Sequence, residues 1–521
     1  MAMAIGLDFG TTNSVVSYVD GAGKLRTFKQ NGSPLIPSAI YFKAPDEYVI
    51  GLAAVALGEK NPDRKISGFK MRLSDTRDQI VYEGGKLKPK VAVKLFLNRL
   101  MAQVQEYLIK KFGAAEGTID RAVITVPAKF NDAANRAIKL AAAAAMNLNS
   151  DQIKLVYEPT AAAVAAQREN ISGASNFLIY DFGGGTFDVS LIQKSRGVFH
   201  QILTDGDPNC GGDLLTDILA QHLLKLANET FGTSFPWDAD DFDENFHGVD
   251  EIQYARNRAA ILSESARVKT SLSSDKNFTA TFPFYVDKNS SREFVSEIAR
   301  ADFERLIRKI ILHTAEITQR VIKSEAAENI GGVEKIILAG GSSQIPLVRE
   351  ILRDALGTFD VSYSENVSTL ISRGAAILAQ DIDSVENLTS QKTTAQIGVA
   401  STEGLMYNIF QPVIDADTQL PCENSCEFRL LEDNQRHLEI AYYERDAKNF
   451  PNARRIDDDG VNLVDVLQIE LPAGLKKNST VVKVNFSVRS DSSVEISAAV
   501  TANGEDIGGG AVEVRRASDL F

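Results

Sequence analysis

Cysteine is scarce in this chain. The three in 521 residues, Cys210, Cys422 and Cys426, are too few for a disulfide framework and make a reducing cytoplasm the expected compartment. Histidine is nearly as thin. The five are scattered, so no Ser-His-Asp or Cys-His pairing can be argued, and Cys422, Cys426 and His437 offer no fourth zinc ligand and read as ordinary side chains. No apolar stretch, 141–146 included, reaches the ~18 residues of a membrane span, and no basic-then-apolar leader precedes the apolar run 4–9. Basic runs are missing too. With 56 basic and 69 acidic residues the net charge is -13, which disfavours nucleic acid or anionic lipid as a partner, and the pair Lys110 and Lys111 suits a helix C-terminus. Neither a Walker-type Gly-x4-Gly-Lys-Ser/Thr nor a Gly-x-Gly-x-x-Gly strand-to-helix turn occurs, which excludes P-loop and dinucleotide folds as the primary site.

What is present is the composition of packed domains, 44% hydrophobic and 24% charged, in a chain long enough for about three to four packing units. Residues 1–382 alternate β-rich runs with amphipathic helices. Strands are predicted near 5–9, 15–19, 122–126, 177–181, 189–192 and 335–339. Helices are predicted over about 94–112, 131–146, 159–169, 213–229, 250–271, 301–323 and 345–356. This is an α/β region. From 396 to 521 the segments are strand-length, such as 438–443, 482–488 and 494–500, with no helical period, which predicts an all-β domain. The polar stretch 383–395 between them reads as a linker. The acidic segment 236–250, with Trp237 among aspartates, reads as a solvated insertion, a partner-binding loop being the alternative.

One internal echo carries chemistry. Asp8-Phe9-Gly10-Thr11-Thr12 and Asp181-Phe182-Gly183-Gly184-Gly185-Thr186 each close an apolar strand with an acid, turn on glycine and offer hydroxyls. Each is followed by another strand, which makes it a hairpin tip, and glycine there lets backbone N–H groups form an anion nest for phosphate oxygens. An acid cannot touch phosphate but can hold water on Mg²⁺. Asp8 and Asp181 facing each other across a gap would therefore clamp a metal–triphosphate from both sides.

The runs Ile5 to Ser14, Val123-Ile124-Thr125-Val126-Pro127-Ala128, Glu158-Pro159-Thr160-Ala161-Ala162-Ala163, Asp181 to Asp188 and Ala339-Gly340-Gly341-Ser342-Ser343-Gln344-Ile345-Pro346 stand in the order of the seventy-kilodalton heat-shock chaperones. The chain resembles that family closely over about 1–380 and more faintly to about 515. The resemblance implies a two-lobed actin-like (ribonuclease H-like) ATPase domain at 1–382 and a β-sandwich at 396–521 that binds extended apolar peptide. ATP/ADP, Mg²⁺ and K⁺ are the implied cofactors. Unfolded peptides, a J-domain co-chaperone and a nucleotide exchange factor are the implied partners of a monomer. Position by position, Gly10, Thr11, Thr12, Asn13, Gly183, Gly184, Gly185 and Thr186 match the phosphate loops. Gly211, Gly212, Lys269, Ser273, Gly340, Gly341 and Ser342 match the nucleoside and phosphate contacts. Lys70 matches the lysine that stabilises the transferring phosphoryl group, although alone it would read as a solvated surface lysine. Glu158 matches the acid that positions attacking water, Asp188 one that orients water and helps hold monovalent cations, and Pro127 a proline that couples phosphate to the sheet. Val399, Thr402, Phe428, Leu431 and Leu438 match the peptide pocket. Without the resemblance, such apolar residues read as sandwich core.

The sequence also departs from the family. The two arginines that sandwich adenine fall on Thr270 and Gln344, the ribose-binding glutamate on Ala266 and a late aspartate on Ser368. Glu264, two residues from the expected glutamate, would point to another helical face. Adenine affinity below the family norm is expected. The Asp-plus-leucine linker is replaced by Asp383-Ser384-Val385-Glu386-Asn387-Leu388, which puts ATP-driven peptide release in question. The sequence stops at Phe521, where the family's helical lid begins, and a lidless pocket is expected to exchange peptide quickly. The reading is an ATP-dependent chaperone with slow hydrolysis. The alternatives are a nucleotide-binding switch or exchange-type relative that hydrolyses little, and a small-molecule kinase on the same fold.

Overall fold

The computed structural model describes residues 3–74, 78–128, 130–169, 175–357, 360–363, 367–385, 389–390, 392–393, 395–403, 406–430, 432–447, 450–489, 494–502, 505–506 and 514–516. Two sheets of one topology dominate the first three quarters of the chain. The first uses β1 (Met3–Phe9), β2 (Asn13–Val19), β3 (Leu25–Thr27), β4 (Ile119–Val126) and β5 (Ile153–Tyr157) in the order β5-β4-β1-β2-β3. The second uses β6 (Asn176–Phe182), β7 (Phe187–Ser195), β8 (Val198–Asp207), β9 (Lys335–Ala339), β10 (Asp360–Tyr363) and β11 (Thr389–Ser390) in the order β10-β9-β6-β7-β8-β11. In each, the central strand pairs antiparallel with its hairpin partner and parallel with a strand that returns after a long crossover. β1 and β6 are central because their runs are apolar on both faces, as strands covered on two sides require.

Helices α1 (Pro89–Phe112) and α2 (Asp132–Met146) belong to the first lobe, where Phe96, Leu97, Leu100 and Ile138 join the strand residues in one core. α2 starts where it does because the Asn131 side chain accepts from the Ala134 N–H at 2.9 Å. α3 (Glu158–Arg168) opens with Pro159, whose fixed φ suits a first turn. Helices α4 (Gly212–Phe231), α5 (Glu251–Ser271), α6 (Arg300–Ile322) and α7 (Pro346–Leu356) build the second lobe's core, together with the hairpin of Asn277–Asp287 and Ser290–Ala299. Between the lobes, α3 packs against α8 (Leu370–Ala379) in a core of small residues, Ala161, Ala162, Ala165, Ala375 and Ala379 among them. A Cβ on Gly374 would meet the Ala161 carbonyl oxygen at 1.8 Å, so only glycine permits this approach.

The strands from residue 396 onward form a sandwich. One sheet is β12 (Gln396–Glu403), β13 (Met406–Ile414), β15 (His437–Arg445), β16 (Val461–Glu470) and β20 (Val514–Arg516), in the order β13-β12-β15-β16-β20. The other is β14 (Cys422–Arg429), β17 (Thr480–Val488), β18 (Val494–Ala502) and β19 (Glu505–Asp506), in that order. Alternating residues such as Val482, Val484, Phe486 and Val488 face the shared core. Cys422 and Cys426 are partly buried against it, and burial pushes the Cys426 thiol up to about 11.

The polar stretch read as a linker is partly structured: Ile382–Ser384 makes a 3-10 turn, and Thr389–Ser390 extends the second lobe's sheet by pairing parallel with β8. An edge strand needs only backbone donors and acceptors, so polarity does not forbid it. The acidic segment folds inward through its aromatics. Trp237 donates its indole N–H to Asp217 at 3.0 Å, and Phe242 stacks on Tyr254 at 4.1 Å, while Phe246 stays 75% exposed. No helix among the described residues is long and apolar enough to cross a membrane.

Candidate functional site

The sheet order puts both glycine turns at the cleft between the lobes, one at the end of the β1–β2 hairpin and one at the end of β6–β7. The tips touch. A Cβ on Gly184 would lie 2.0 Å from Thr12 Oγ1, and one on Gly185 3.0 Å from Thr11 Cγ2. Thr12 also donates across the cleft to Asp213 Oδ2 at 2.8 Å, tying the first lobe to the start of α4. Behind the second tip, the Gly212 and Asp213 N–H groups donate to the Gly183 and Gly184 carbonyls at 3.0 and 2.7 Å, and Ser342 Oγ donates to the Gly183 carbonyl at 2.8 Å. Ser38 Oγ holds the Gly10 carbonyl in the same way at 2.7 Å. The bonds to Gly10, Gly183 and Gly184 each fix a tip carbonyl, which orders the turns that carry the tip N–H groups.

Asp8, Asp181, Glu158 and Lys70 line this one cleft. Burial, then repulsion from Glu158, pushes Asp8 up to about 7 against the pull of Lys70 and a hydrogen bond from Thr125 Oγ1 at 3.2 Å. Asp181 is raised well above the usual carboxylate range by burial and by Glu158, Asp8 and Asp188, with Lys70 opposing. The carboxylates feel one another across the lobe boundary. Lys70 is 2% exposed rather than solvated, donates to Glu158 Oε1 at 2.9 Å, and has its ammonium 5.7 and 5.3 Å from the Phe9 and Phe130 ring centres. Among the described residues, three partly buried carboxylates crowd around Lys70, and a divalent cation would offset their negative charge. Among the described residues no group of three His, Cys, Asp or Glu side chains is placed to hold an ion directly. A metal held through water or phosphate oxygens fits that donor set.

The other sequence-derived residues fall as follows. Gly10, Thr11, Thr12, Asn13, Pro127, Gly183, Gly184, Gly185 and Thr186 line the cleft at the hairpin tips, and Lys269, Ser273, Gly340, Gly341 and Ser342 continue the lining. Asp188 lies beside Asp181 across the β6–β7 hairpin, behind the lining. Gly211 and Gly212 also sit behind it, where they brace the tip: a Cβ on Gly211 would meet the Gly184 carbonyl oxygen at 2.4 Å. Lys269 donates to the Gly212 carbonyl at 2.5 Å, and burial holds it down to about 8 while Asp213 pulls the other way. Glu264 is absent from the cleft. It is 4% exposed, accepts from the Thr281 N–H at 2.9 Å and pairs with Arg267 at 2.5 Å. Asp213 was missed by the sequence reading, although an acid in the first turn of a Gly-Gly-initiated helix was a signal available there.

In the sandwich, Val399 is 2% exposed in the core, and Phe428 and Leu438 are partly buried against the same core. Leu431 and the side chain of Thr402 lie outside the described residues.

The sequence matches the family described as Hsp70 protein over residues 4–508. The chain belongs to the Hsp70 family. An Hsp70 is a chaperone whose family binds ATP or ADP with Mg²⁺, hydrolyses ATP and engages unfolded peptides and co-chaperones. The match takes in both lobes and nearly all of the sandwich, so the cleft between the hairpin tips and the β domain belong to one Hsp70 chain.

Proposed function

We propose that this Hsp70 hydrolyses ATP slowly in the cleft between the two aspartate-ended hairpins and uses the cycle to regulate the grip of its sandwich on extended apolar peptide. The observation that carries the reading is the convergence of Asp8, Asp181, Glu158 and Lys70 on one cleft whose tips are glycine turns. The domain division is 1–382 for the ATPase, 383–395 for the connection and 396–521 for the peptide module.

The tip N–H groups with Thr11, Thr12 and Thr186 bind the phosphates. Asp8 and Asp181 would hold Mg²⁺ through water, and the ion would supply positive charge to offset the phosphate oxygens; Asp8, Asp181 and Asp188 would hold K⁺. Lys70 turns from Glu158 toward the γ-phosphate and offsets charge on its equatorial oxygens. The freed Glu158 carboxylate orients a water and accepts its proton. The water oxygen bonds to the γ-phosphorus as the bond to the bridging oxygen breaks, releasing ADP and phosphate. Val399, Thr402, Phe428, Leu431 and Leu438 mark the peptide site, which gains affinity from main-chain hydrogen bonds and a few buried side chains.

Single-turnover hydrolysis with and without an unfolded peptide tests the reading. Peptide-accelerated release of phosphate is expected. Binding without hydrolysis would favour a switch-type relative, the reading that Thr270, Gln344 and the altered linker suggest; phosphate on a metabolite would favour a kinase.

A further inference from the structure

Among the described residues the cleft carries its charged side chains near the hairpin tips and at Lys269, and its lining beyond them is neutral. Past Lys269, its lining runs through Thr270, Ser273, Gln344 and Ser368, with Ile345 and Val367 alongside. Among the described residues no aromatic ring and no guanidinium lines it. A planar base gains much of its affinity by stacking on such groups and its identity from donors and acceptors fixed in place. Here the polar groups are ambivalent. Gln344 Nε2 donates to Ser368 Oγ at 3.2 Å, and a carboxamide that turns over exchanges donor for acceptor, while each serine hydroxyl can play either part. Adenine shows an acceptor at N1 beside a donor at N6; guanine shows a donor at N1 beside an acceptor at O6. A rotatable amide complements both.

Exclusion of the wrong base requires a clash or a buried polar group left unpaired. Thr270 and Gln344 are exposed, so neither a wall nor a dry pocket meets the exocyclic groups of the base. Water competes for the same hydrogen bonds and weakens their net contribution. The end at the hairpin tips, by contrast, is half-buried, charged and braced from behind.

We infer that this cleft selects the triphosphate and not the purine, so that guanosine and inosine triphosphates are bound and hydrolysed alongside ATP. The inference rests on the proposed hydrolytic function of the same cleft. Gln344 is the residue that reads the base, and reads it permissively.

The test is calorimetry of the full chain with the Mg²⁺ complexes of ADP, GDP and IDP, together with single-turnover hydrolysis of ATP and GTP. The three diphosphates are expected to bind within about tenfold of one another, and both triphosphates to be hydrolysed. A preference for ADP beyond about tenfold overturns the inference, yet leaves the chaperone ATPase reading intact if ATP is hydrolysed. No binding of any nucleotide overturns both. Gln344→Glu supplies a second measurement. Its carboxylate only accepts, which suits guanine N1–H and N2–H and opposes adenine N1, so the GDP-to-ADP affinity ratio should rise by about tenfold. An unchanged ratio overturns the role given to Gln344.

Discussion

Lys70 and Glu158 are joined in a pair that is nearly dry on the lysine side, with exposures of 2% and 13%. Removing the lysine leaves Glu158, Asp8 and Asp181 without the cation that moderates the two aspartates. Lys70→Met, which keeps the length of the stem, is expected to slow single-turnover hydrolysis by about 10²–10³ while ADP still binds. Its loss of stability, measured by urea unfolding, is expected to be about 3 kcal/mol. Lys269 gives a pH dependence. Burial holds it at about 8, below the usual lysine value, with Asp213, itself raised by burial and bonded to Thr12, as the facing charge. Below pH 8 the lysine is charged in both folded and unfolded chains, and the burial cost is fully present. Above pH 8 the folded chain sheds the proton first, so stability rises toward the unfolded value near 10.5. Nucleotide affinity should move oppositely, since phosphate favours the charged form. ADP binding is expected to weaken between about pH 7.5 and 9.5 by up to tenfold per unit of displaced pKa. Lys269→Met should flatten that profile; a profile unchanged in the variant would contradict the assignment.

At the scale of elements, the proposed mechanism makes the hairpin tips the working parts, and each is a glycine turn held by its carbonyls. Gly184→Ala places a methyl 2.0 Å from Thr12 Oγ1, where it must push the tips apart and strain the Thr12–Asp213 bond. Weaker ADP binding with a melting temperature close to wild type is expected, because the contact lies in a cleft and not in a core; unchanged affinity would show that the tips need not touch. The same tips explain what was legible in the sequence. An acid-ended apolar strand, a glycine turn and a second strand form a local pattern, and β1–β2 and β6–β7 appear where it predicts. The bracing around them is nonlocal. Ser342 reaches Gly183 over 159 positions and Thr12 reaches Asp213 over 201, which no window of sequence displays. The match of Gly211 and Gly212 to nucleotide contacts comes from resemblance, and their packing against the Gly183 and Gly184 carbonyls is likewise visible only in three dimensions. The hairpin of Asn277–Asp287 and Ser290–Ala299 went unread although Ala280, Phe282 and Phe284 alternate on its buried face, because Pro283 on the exposed face and the polar residues of the partner strand mask the strand signal. Helix α8 was equally hidden: Leu370, Ile371, Ser372, Gly374, Ala375, Ala376, Leu378 and Ala379 are all buried, so it lacks the polar face that marks a surface helix.

At the scale of the whole molecule, the lobes and the sandwich are physically joined. Arg136 on α2 lies 3.7 Å from Asp465 on β16, and Ala133 packs against the sandwich core. Tyr157, next to Glu158 in sequence, donates its hydroxyl to the Lys392 carbonyl at 3.2 Å in the connecting segment, whose Thr389–Ser390 strand pairs with β8. A route from the cleft to the β domain therefore exists without the family's leucine-rich linker. Tyr157→Phe keeps the ring and removes that bond. Basal hydrolysis is expected to persist while its acceleration by peptide falls; full acceleration in the variant would show that coupling runs elsewhere. The central claim, that ATP is cleaved between two facing aspartates, is tested most directly by single-turnover γ-phosphate release from Asp8→Asn/Asp181→Asn beside wild type, with circular dichroism to confirm that both are folded. The account predicts release in the wild type and its loss in the folded double variant. Undiminished release from that variant would contradict it.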